Sequence, residues 1–134
     1  MTAYTMRVAT SQPYDVAVAR VREALAEQGF GVLTEIDVRA TMRSKLDVEV
    51  PAQVILGACR PELAHRALTA APSVAALLPC NVVVRDDAGT TVVEVIDPDA
   101  MSWLEDQPGI AEVATEARAR LRAALNRVKA EEAA

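Results

Sequence analysis

Aromatic side chains make up 3% of this 134-residue chain, while apolar residues make up 51% and are nearly all Ala, Val and Leu. A core must therefore be assembled from small and β-branched groups that each contribute modestly, and a dimer interface is one way to add burial. The five glycines never reach the spacing with which backbone amides cradle a phosphate. Two cysteines, Cys59 and Cys80, lie too far apart in sequence for a C-x-x-C redox pair, and a single histidine, His65, gives no support to a Ser-His-acid triad. Basic residues are outnumbered, 14 against 19 acidic, and the formal net charge of −5 opposes binding to nucleic acid. Arg118, Arg120, Arg122, Arg127 and Lys129 share their segment with Glu112, Glu116, Glu131 and Glu132, which reads as a solvated helical face. No apolar run approaches the roughly 20 residues needed to cross a bilayer, and "MTAYTMRVATSQ" lacks the basic-then-apolar pattern of a signal peptide. The expectation is a cytoplasmic protein without membrane contact, its cysteines held as thiols.

What is present is a regular alternation of elements. A chain of this length makes one domain, read as residues 1–130, with 131–134 as a frayed tail. Residues 3–10 alternate as a strand. Residues 14–28 carry Val18, Val21, Ala24 and Leu25 at helical spacing behind Pro13, and Gly29 with Phe30 forms a Schellman ending. "FGVLTEIDV" alternates as a half-buried strand, with Phe30, Val32, Thr34 and Ile36 on one side and Leu33 and Glu35 on the other. "RATMRSKLD" is a short helix, and "QVILGAC" is a strand. "PELAHRALTA" is a helix with Leu63, Ala64, Ala67 and Leu68 on its buried stripe, and "SVAALL" is a further helical turn. "NVVVRDDAGTTVVEVID" is a hairpin turning on Asp86-Asp87-Ala88-Gly89. Residues 98–108 read as a connection carrying Trp103. Ile110, Val113, Ala117, Leu121, Leu125 and Val128 line one face of a long final helix. The order β-α-β-(α)-β-α-β-β-α predicts an α+β fold, a single sheet with helices layered on one side, at least partly antiparallel because its hairpin strands must be.

The chemistry concentrates in "VILGACRPELAHRAL". Cys59 sits just before a helix N-terminus with Arg60 beside it, a setting that lowers a thiol pKa if the sulfur points that way. Cys80 opens the next strand, and an antiparallel pairing would bring the two sulfurs to one end of the sheet. A Cys-Cys-His cluster would be a soft-metal site one ligand short. Buried cysteines are also common simply as small hydrophobes. The acidic pairs Asp86-Asp87 and Asp97-x-Asp99 read as turns, and Met101, Trp103 and Leu104 as a seal on the sheet end or a dimer contact.

The blocks "ILGACRPELAHRAL" and "AALLPCNVVVRDDAGTTVVEVIDPDAM", with "FGVLTEIDVRATMRSKL" before them, resemble the bacterial and archaeal domain-of-unknown-function family 302, over about Val16 to Val128. Gly57, Cys59, Pro61, Glu62, Leu63, Ala64, Leu78, Pro79, Cys80, Asn81, Asp97 and Pro98 match its blocks, while Arg60 stands where Asn is the more usual residue. The resemblance implies a two-layer sandwich of TATA-binding-protein-like topology, a mainly antiparallel sheet with helices on one face, and a homodimer, and it carries no activity. No acid–base pair favours catalysis, so no enzyme, cofactor or metal is expected. The expected function is a homodimeric ligand-binding or interaction module, its partner a second copy. Its pocket or dimer seam would be lined by the "GACRPEL" and "LLPCN" segments, with Cys59, Arg60, Glu62, His65, Cys80 and Asn81 as the candidate residues for an unidentified small-molecule ligand. The alternative is a thiol-dependent redox or soft-metal protein using Cys59 and Cys80, with His65 as base or third ligand.

Overall fold

The computed structural model describes residues 4–130, so the proposed tail at 131–134 lies outside the described residues. The elements run β1 (Thr5–Thr10), α1 (Tyr14–Glu27), β2 (Gly31–Asp37), α2 (Val38–Leu46), β3 (Gln53–Cys59), α3 (Pro61–Ala70), a 3-10 turn (Pro72–Leu77), β4 (Cys80–Asp87), β5 (Thr90–Ile96), α4 (Asp99–Leu104) and α5 (Pro108–Ala130). The strands form one antiparallel sheet in the order β1-β5-β4-β3-β2. This is the α+β fold that the alternation of patterns predicts, since hairpin and edge strands with one apolar face need helices on that face only.

The element boundaries follow local chemistry. Behind α1, Gly29 takes φ +80°, and the Phe30 and Gly29 amides donate to the Leu25 and Ala26 carbonyls at 2.9 and 3.0 Å, the Schellman pattern. The β4–β5 hairpin turns on two residues, Ala88 and Gly89, both at positive φ. The predicted four-residue turn is thus shorter, with Asp86 supporting it by accepting the Gly89 N–H at 3.1 Å.

On the helical face, Met6, Val8, Val54, Leu56, Val82, Val84, Val93 and Val95 meet Val21, Leu25, Leu121, Leu125 and Val128 from α1 and α5 in one buried cluster. A second cluster joins Leu63 and Ala67 of α3 to Val74, Met101, Ile110, Val113 and Ala117. The α3 stripe is narrower than predicted. Leu68 is exposed and Ala64 only half-buried, because α3 packs on α5 along the Leu63–Ala67 line.

Two expectations fail. Residues 98–108 contain a helix, α4: the Asp97 carboxylate accepts the Asp99 amide at 3.0 Å and Arg118 Nε at 3.2 Å, starting the turn and tying it to α5. The single-sided alternation of β2 fails because the register shifts between Val32 and Thr34. The bulge puts Val32 beside Ala58 on the helical face but Thr34 and Ile36 beside Gly57 and Ile55 on the other. All but one residue of β2 is exposed, and none is buried. No described helix is long and apolar enough to cross a membrane.

Candidate functional site

Strand β3 ends and β4 begins side by side, with Ala58 opposite Cys80 and Gly57 opposite Asn81. This register brings Cys59 and Cys80 to the same end of the sheet, where both line one small cleft. Its remaining walls come from Phe30, Ala58, Leu63, Ala64, Leu78, Met101 and α5, with Arg60 at the rim. The space measures about 30 Å³, room for a guest the size of a water molecule. Gly57 is needed at this end because a Cβ there would lie 2.8 Å from the Pro79 ring and closer still to the Thr34 hydroxyl.

The cleft raises thiol pKa values. Burial pushes Cys80 up to about 11, with the Cys59 charge adding to it, and burial also raises Cys59. The lowering that a helix N-terminus and Arg60 would give if the sulfur pointed their way is outweighed by burial at Cys59. Arg60 is turned elsewhere, its Nη1 donating to the Gln28 carbonyl at 2.9 Å across Gly29, and its Nε lies 3.4 Å from Glu62 Oε2 as a charge contact without hydrogen-bond geometry. With the guanidinium engaged in these contacts, desolvation decides the Cys59 shift.

Of the candidate residues, Cys59, Cys80 and Arg60 come together. Glu62 is exposed and lies against Arg60. His65 is exposed on the second turn of α3 and does not line the cleft, so it cannot complete a Cys-Cys-His cluster. Asn81 is exposed on the opposite face of the sheet, across from Gly57. Met101, expected as part of a seal on the sheet end or of a dimer contact, also lines the cleft. Its place in the cleft depends on the docking of α4, which no local pattern encodes. Among the described residues, no group of three or more His, Cys, Asp or Glu is placed to hold a metal ion.

The second feature is the sheet face turned away from α1 and α5. The registers align Ile36, Ile55, Val83, Glu94 and Arg7 in one row across all five strands. Ile36 is 48% exposed, and Ile55 and Val83 are half-exposed. Glu94 accepts hydrogen bonds from Thr5 Oγ1 at 2.6 Å and from Arg85 Nη1 at 2.7 Å. Burial alone would push its carboxyl up, but these bonds and the charges of Arg85 and Arg7 outweigh it and hold it below the usual carboxylate range. Beside this face, α2 borders a hollow of about 390 Å³ lined by Val38, Met42, Val50, Pro51, Gln53 and Arg85, much larger than the cleft.

A family model described as "Domain of unknown function DUF302" matches residues 6–128. The chain belongs to the DUF302 family. A crystal structure of an uncharacterized conserved DUF302 protein from Bacillus stearothermophilus is similar to it at 30% identity with a TM-score of 0.88, covering 95% of this chain and 99% of that one. Comparison with curated proteins returns no match. This DUF302 domain thus shares its fold over nearly the whole chain with that protein, and chemistry has to be argued from its own residues.

Proposed function

We propose that this DUF302 domain is a cytoplasmic interaction module that works as a homodimer, closing its uncovered sheet face against a second copy. The observation that carries this reading is the row Ile36-Ile55-Val83, three branched apolar side chains adjacent across three strands that belong to neither buried cluster. Leu33, Leu46 and Val48, 67%, 66% and 43% exposed, extend the apolar surface along β2 and α2. A two-fold interface is self-complementary, and the Arg7, Glu94 and Arg85 charges at the far end of the row can fix the relative orientation of two copies. α2 supports the same reading. None of its nine residues is buried, and a helix that short is marginal in water without a surface to rest on.

The cleft at the cysteines is the candidate ligand site of the module, with Cys59, Cys80 and Arg60 as its residues; Glu62, Asn81 and His65 would act only from its surroundings. Its size admits a guest of one or a few atoms, whereas a metabolite would need the hollow beside α2. A thiol nucleophile or redox pair is the weaker reading, because both pKa values move away from neutrality. Sedimentation equilibrium over micromolar concentrations tests the dimer: a two-chain mass is expected, and Ile36→Asp, at a half-exposed edge position, should return one chain with unchanged circular dichroism. A one-chain mass for the unmodified protein at tens of micromolar would overturn the proposal.

A further inference from the structure

Three sulfur-bearing side chains line one cleft. Cys59, Cys80 and Met101 all line the cleft between the end of the sheet and α3, and no carboxylate, imidazole or hydroxyl side chain lines it with them. They come from three separate elements, β3, β4 and α4, so neither a sequence motif nor a local turn accounts for their convergence. A cleft whose side-chain donors are sulfur, with Arg60 the charged group lining it and space for one small guest, has a definite selectivity. Hard cations need oxygen ligands, and zinc takes four ligands or three with a water. Thiolate and thioether sulfur in low coordination number suits the soft monovalent ions of filled d shell.

We propose that Cys59, Cys80 and Met101 form a binding site for one soft monovalent metal ion, copper(I) being the physiological candidate. Binding replaces the two S–H bonds by two metal–sulfur bonds, the Met101 thioether adds a third by its lone pair, and two protons leave to solvent. The metal keeps its oxidation state, so no oxidant or reductant is involved. The walls of Phe30, Leu63 and Leu78 are apolar and offer a harder ion no side-chain oxygen ligand. Both thiols are protonated at neutral pH, so only an ion that bonds sulfur strongly enough to displace protons is retained. This inference does not rest on dimerisation, since all three residues belong to one chain.

The test is an anaerobic titration of the full chain against copper(I) held by a coloured chelator such as bicinchoninate, at protein concentrations where the sedimentation behaviour is known. One copper per chain should be withdrawn from the chelator, zinc(II) in the same chain should not bind, and X-ray absorption should report sulfur neighbours only. Cys59→Ser, at a partly exposed position that leaves the core intact, should abolish the transfer. Met101→Leu conserves volume and should weaken binding about 10-fold or more, a loss that even outer partners of a metal can cause. Cys80 is buried and its replacement tests folding as well as binding, so the other two variants carry the decision. No copper withdrawn by the unmodified chain, equal retention of zinc, or binding unchanged in either variant would overturn the site and leave the sulfurs as packing groups.

Discussion

At the scale of single residues, the decisive positions are those where burial or backbone conformation leaves one choice. Gly29 combines φ +80° with an Arg60 side chain lying across it, so a side chain there would be strained and would strike the guanidinium. Gly29→Ala should cost about 1–2 kcal/mol of stability, read by urea denaturation, from backbone strain together with the loss of the Arg60 bond to Gln28; an unchanged midpoint would show that Arg60 is dispensable. Cys59 and Cys80 are set by desolvation. An acid with a raised pKa stays in its neutral form through neutral pH and reaches the reactive thiolate only as pH rises toward the folded value, for Cys80 about 11. Alkylation of the native, metal-free protein at pH 7 should therefore be slower at both cysteines than in free cysteine, slowest at Cys80, and should accelerate above pH 9. A Cys59 that reacted at pH 7 faster than free cysteine would restore the redox reading.

At the scale of elements, β2 and α2 stand apart from the rest. Asp37 caps α2 by accepting the Ala40 amide at 2.9 Å, Arg43 and Lys45 favour its last turn, and Arg39 and Arg43 pair with Glu49, yet each such exposed contact adds only a few tenths of a kcal/mol. The helix should be the least protected of the described helices when the chain is alone. Hydrogen exchange at high dilution should find α2 amides opening well before those of α1 and α5, and protection rising with protein concentration; protection independent of concentration would mean that α2 needs no partner. These same elements mark where the sequence was legible and where it was not. Helices α1 and α5 bury one continuous stripe each, from Val21 to Leu25 and from Ile110 to Val128, so periodicity alone located them. In β2 the bulge at Leu33 reverses the faces, and nothing in the pattern of "GVLTEID" marks it because the cause is the register with β3. The sulfur cleft was half legible. Cys59 and Cys80 could be paired from the antiparallel order, but Met101 joins them only through α4, and Asp97 and Arg118, residues 21 positions apart, dock that helix. His65 was drawn in by proximity along the chain to Cys59 and falls away once α3 turns it to solvent.

At the scale of the whole molecule, the domain has two unequal sides. The helical side is closed over by α1, α3 and α5. The other side carries an apolar row ending in the Arg7, Glu94 and Arg85 network, flanked by a strand whose outer edge has no strand partner among the described residues and by a helix without a buried residue. An exposed edge and an open apolar face together favour association, and a closed two-fold dimer is the arrangement that satisfies the face once and leaves nothing to propagate. A chain with so few aromatics draws its core from Ala, Val and Leu, so burying Ile36, Ile55 and Val83 a second time should add appreciably to a modest total. The most direct test is the mass of the unmodified protein and of Ile36→Asp by sedimentation equilibrium at tens of micromolar. The unmodified chain should sediment as two copies and the variant as one, both with the same circular dichroism, whereas a single-chain mass for the unmodified protein would contradict the account.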